Sequence, residues 1–152
     1  MKIILLSEDA IRVEPVPGPM TIEALSADQS YSPFHMLASG LATCTFSVMH
    51  AWASHAGLDA EDLAIEVHWT FAEDPHRVDS LHLSFDWPSL PPRRYAAALR
   101  VAEMCTIHAT LHNPPKITVG AADLTRTSVG SPRHETEDVE ADHVHAHSDS
   151  DL

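Results

Sequence analysis

A chain of 152 residues with 44% apolar content fits one soluble globular domain with room for a real core. A formal net charge of −13 argues against nucleic acid as a partner, and no apolar run approaches the ~20 residues that a membrane span needs. Two cysteines are too few for a secreted disulfide framework, and the apolar run Ile3 to Leu6 is too short for a signal-peptide core. A cytoplasmic protein is expected.

From Lys2 to about Val16, "IILL" and the alternating "AIRVEPV" read as strands. "VPGP" is a turn and "MTIEAL" a further short strand. From Pro33 to about His55 the chain has no internal proline and is apolar almost all round, which predicts a buried helix. Ser32 suits its cap, Pro33 its first position and Gly57 its end. "LAIEVHWTF" alternates, with Ile65, Val67, Trp69 and Phe71 on one face, and "VDSLHLSFDW" alternates again. The pair predicts an antiparallel hairpin across "EDPHR". A second helix is expected from about Pro92 to Leu111, stopped by "NPP", and "KITVG" is expected as a last strand.

This order predicts an α+β fold with a largely antiparallel sheet. The first helix is too apolar for a small sheet to cover alone, so a second subunit is expected to cover it. Ser131 to Leu152 holds seven acids against one base and almost no large apolar side chain. Such a segment is expected to be a disordered acidic tail following a domain at 1–130. Its histidines at 143, 145 and 147 read as solvated, with loose metal binding as the alternative. No "C-x-x-C" or "H-E-x-x-H" pattern occurs, so no metal and no cofactor are expected.

The two cysteines are Cys44, in "ASGLATCTF", and Cys105, in "AEMCTIHATL". Small residues near both would let their helices meet at disulfide distance. Pattern alone leaves two readings open: inert core thiols, which are common, or a redox pair.

"SPFHMLASGLATCTF", "GLDAEDLAIEVHWTF" and "AEMCTIHATLHNPPKITV" resemble three consecutive blocks of the OsmC/Ohr family, the osmotically inducible protein C and organic hydroperoxide resistance proteins. The resemblance covers roughly residues 32 to 120. It rests on the Ser-Pro opening of an apolar helix, a cysteine thirteen positions into that block, and a second cysteine in "C-x-[VI]-H-x-T-L". It implies an intertwined α+β homodimer with mainly antiparallel sheets, a buried central helix, and active sites at the subunit interface. It implies a thiol-dependent peroxidase for organic hydroperoxides in oxidative stress defence, with Cys44 peroxidatic and Cys105 resolving. The implied reductant is a dithiol, such as a lipoylated protein. A family member that binds an apolar ligand without turnover is the alternative.

The resemblance also implies an N-terminal arginine beside the peroxidatic thiol, and Arg12 is the sole arginine before Arg77. Its other reading is an exposed strand residue. Phe34 stands where the hydroperoxide resistance branch carries a glutamate, and His35 where other branches carry an acid. These departures point to an OsmC-like branch, with Phe34 and His35 as candidate substrate-side residues and His35 as a substitute polar partner for Arg12. His108, one turn past Cys105, is a further candidate for assisting that thiol or simply for facing the helix end.

Overall fold

The computed structural model describes residues 1–121. The tail expected at 131–152, its histidines and the domain boundary at 130 lie outside the described residues. The elements all fall in one compact unit, Met1–Lys116. They are β1 (Lys2–Ser7), β2 (Ala10–Glu14), β3 (Thr21–Ala24), α1 (Pro33–Ala56), β4 (Ala64–Ala72), β5 (Arg77–Asp86), a 3-10 turn (Pro92–Arg94), α2 (Tyr95–Ala102) and α3 (Thr106–His112).

The five strands form one sheet in the order β3-β1-β2-β4-β5. Every pairing is antiparallel except β1 with β3, and the chain crosses β1 on its way from β2 to β3. Alternation decides which side chains face the helices. Ile11 and Val13 on β2, and Ile65, Val67 and Trp69 on β4, are buried under α1. Their neighbours Arg12 and Glu66 are a cross-strand pair on the opposite face.

α1 is set at both ends by its sequence. Ser32, in extended conformation, accepts from the His35 N–H, and the His35 ring accepts from the Ser32 N–H, a reciprocal cap. Gly57 ends the helix at φ 63°, a left-handed conformation in which a side chain is strained. There the Leu58 N–H reaches the Ala53 carbonyl and the Gly57 N–H that of Ser54. The buried face of α1 carries Ala38, Leu41, Ala42, Thr45, Phe46, Met49 and Ala53. Its other face leaves Met36 61% exposed and Leu37 36% exposed. Among the described residues no helix is long and apolar enough to cross a membrane.

Two expectations are corrected. The second helix is not continuous: α2 ends at Ala102 and α3 starts at Thr106, with Cys105 as the extended residue between them. The break holds because the Cys105 sulfur replaces a carbonyl as partner for an N–H of the new first turn. Lys116–Gly120 forms no strand. Strand propensity alone does not make a strand; a paired edge is also required.

Candidate active site

The turn after α2 carries Cys105 against the middle of α1. Its backbone is extended (φ −64°, ψ 130°), and its sulfur accepts from the His108 N–H at 3.5 Å, capping α3. The same sulfur lies 4.0 Å from the Leu41 carbonyl, on the turn of α1 that precedes Cys44 and Thr45. Cys105 is fully buried, whereas Cys44 is half-buried. The two sulfurs lie near enough for each to shift the other's titration.

The surroundings split the two thiols electrostatically. Burial pushes Cys44 up, but the hydrogen bond from Cys105 and the N–H groups of Ile107 and Thr106 outweigh it, so its pKa falls below the ordinary thiol value. Cys105 goes the other way. Burial raises it, the pairing with Cys44 raises it further, and the His108 N–H, the Thr45 hydroxyl and the Ile107 N–H only partly oppose this. The more accessible sulfur is therefore the readier thiolate, and the buried one keeps its proton and donates it.

Arg12 lies elsewhere. Its guanidinium donates to Glu66 at 2.6 Å, Glu14 at 3.1 Å and Asp86 at 3.3 Å on the outer face of the sheet. Burial lowers its pKa, and the bonds to Glu66, Glu14 and Asp86 more than reverse that. Strand alternation carried this signal, because "RVE" puts Arg12 and Glu14 on one face.

Phe34 and His35 are placed at the start of α1 rather than with the thiols. Phe34 is half-buried and meets Phe71 edge-on, ring centroids 4.7 Å apart. His35 is 3% exposed, and its Nε2 meets the Ser7 carbonyl at 2.9 Å. Because Nδ1 accepts from Ser32, Nε2 carries the donated proton. Its ring also stands edge-on to Trp69, 5.1 Å between centroids. His108 contributes its backbone N–H to Cys105 while its ring lies against that of His112, centroids 4.4 Å apart.

Thr45, Thr106 and Ile107 escaped the sequence reading. Backbone N–H groups leave no mark on side-chain pattern, and a cysteine cap is not among the usual Ser, Thr, Asp or Asn signals. An open groove of about 820 Å³ is lined by β5, α1 and the α2–α3 pair, with Leu41, Thr45, Leu83, Phe85, Leu99 and His108 in its walls; neither cysteine lines it, though Thr45 adjoins Cys44 in the chain.

No curated protein matches the chain. A solved structure from Psychrobacter arcticus 273-4, named for the osmotic stress induced and detoxification response, shares the fold. The TM-score is 0.50 at 18% identity, over 71% of this chain and 84% of that one. The family model described as OsmC-like protein matches residues 26–120, a span that begins before α1 and includes both cysteines. With most of the chain inside that match, and the same fold in a solved relative, the protein belongs to the OsmC-like family.

Proposed function

We propose that the protein is a thiol-dependent peroxidase that reduces organic hydroperoxides through Cys44 and Cys105. The observation that carries this reading is the neighbouring pair of free thiols, one accessible and one fully buried, with burial and local donors pushing their pKa values in opposite directions. The Cys44 thiolate attacks the outer peroxide oxygen, the O–O bond breaks, and an alcohol leaves once its oxygen is protonated. Cys44 becomes a sulfenic acid. The Cys105 thiol then attacks that sulfur, water leaves, and a disulfide forms before further oxidation. An external dithiol, such as a lipoylated protein, restores both thiols. The apolar part of the groove lining favours organic peroxides over hydrogen peroxide. A homodimer completes this reading, with the exposed Met36 and Leu37 of α1 as surface for a partner to cover.

A second reading, a dimer that binds an apolar ligand without efficient turnover, is favoured by one observation. Three carboxylates occupy Arg12, and no guanidinium is hydrogen-bonded to Cys44 among the described residues. Peroxide consumption with a dithiol reductant separates the two. The peroxidase reading expects cumene hydroperoxide to be consumed well ahead of hydrogen peroxide. Absence of consumption of either leaves the binding reading.

A further inference from the structure

We infer that Thr45 is a catalytic residue of the reductive half-reaction, donating a hydrogen bond to the Cys105 sulfur as the disulfide opens. This deepens the peroxidase reading by naming the group that serves the leaving sulfur.

Thr45 is 1% exposed, and its Oγ1 has no hydrogen-bond partner of good geometry among the described residues. A buried unpaired hydroxyl is costly, typically about 1–3 kcal/mol. The hydroxyls on either side of it, Thr43 and Ser47, avoid that cost by bonding back along the helix to the Ser39 and Thr43 carbonyls, whereas the buried Ser39 hydroxyl, like that of Thr45, has no partner among the described residues. The equivalent acceptor for Thr45 is the Leu41 carbonyl, and the Cys105 sulfur lies against it at 4.0 Å. The Cys105 sulfur thus packs against the carbonyl that Thr45 would use. The Thr45 hydroxyl is left beside the sulfur, where it favours the thiolate.

Access fixes the direction of reduction. Cys44 is the half-buried sulfur and Cys105 the fully buried one, so an external dithiol reaches Cys44. One thiolate of the dithiol attacks the Cys44 sulfur, the S–S bond breaks, and its electron pair goes to Cys105. The second thiol of the reductant then attacks the mixed disulfide, forming the reductant's own disulfide and releasing the Cys44 thiolate. The two protons of the dithiol end on the two cysteines. In the first step Cys105 departs as a buried thiolate, a poor leaving group because burial raises its pKa. It needs donors: the His108 N–H is in place at 3.5 Å, and the unpartnered Thr45 hydroxyl is the one we assign to join it.

The test forms the Cys44–Cys105 disulfide with diamide, which needs no peroxidase activity, and follows its reduction by dithiothreitol against pH. Thr45→Val should slow reduction about tenfold while its melting temperature stays at or above wild type, since an unpaired hydroxyl has been removed. Thr45→Ser should restore most of the rate. Equal rates and pH profiles in all three proteins, or slow reduction in Val and Ser variants alike, would overturn the assignment. If wild type consumes no peroxide yet the Val variant is slow and the Ser variant fast, the peroxidase reading fails and the role of Thr45 stands.

Discussion

The Cys105 sulfur lies 4.0 Å from the Leu41 carbonyl and beside the Cys44 sulfur, so its one proton has two groups to turn to. While Cys44 is protonated, either will do. Once Cys44 ionises, the charged sulfur is the better acceptor, and the proton of Cys105 turns toward it.

Alkylation of Cys44 by iodoacetamide should therefore titrate below the ordinary thiol range in wild type, and alkylation of Cys105 above it. Cys105→Ala removes the donor and should move the Cys44 midpoint upward. Cys105→Ser keeps a hydroxyl and should move it less. By linkage, the lowered Cys44 pKa adds stability above the unfolded thiol pKa, lost as pH falls through the folded value. The raised Cys105 pKa adds stability below the unfolded value, lost as pH rises through the folded one. The two slopes oppose each other, so site-resolved alkylation reads the split more directly than a stability curve.

Arg12→Ala should lower stability by about 1 kcal/mol, a modest figure because Asp86 is 60% exposed and water screens its share. Loss of the cation also leaves Glu14, Glu66 and Asp86 repelling one another. The same variant should leave the Cys44 alkylation curve in place. Urea unfolding and alkylation on one preparation check both halves, and an upward shift of the Cys44 midpoint would mean that Arg12 reaches that thiol in the assembled protein.

His35→Ala should cost about 1–2 kcal/mol by urea denaturation, because it removes the side-chain half of the α1 cap and the bond to Ser7. A neutral result would show that the ring is not holding the start of α1.

Gly57→Ala should destabilise by roughly 1–2 kcal/mol, since alanine must adopt the left-handed φ of 63° that ends α1. Thermal unfolding beside a control substitution at an exposed α1 position isolates the effect.

Much of this architecture was legible in the sequence. Ser32, Pro33 and Gly57 marked the limits of α1, and the alternation of "AIEVHWTF" and "VDSLHLSFD" gave the β4–β5 hairpin, because local signals set those elements. What escaped was decided by distant partners. Nothing around "EMCTIH" announces that a sulfur will cap α3, and "KITVG" has strand composition but forms no strand. The thiol pair could be named by resemblance, but its division into a lowered and a raised thiol depends on N–H groups that the sequence does not display. Arg12 illustrates the reverse case. Resemblance pointed it toward the thiol, while the charges on its own strand and on β4 and β5 hold it on the outer face.

The most direct test of the account is mass spectrometry after a single equivalent of cumene hydroperoxide, on wild type and Cys105→Ser. Wild type should lose two hydrogens and yield one peptide pair joined through Cys44 and Cys105. The Cys105→Ser variant should hold sulfenic acid on Cys44 alone, and pass to sulfinic acid there only when a second equivalent is added. Recovery of both thiols in wild type, or oxidation spread over methionines with Cys44 untouched, would contradict it.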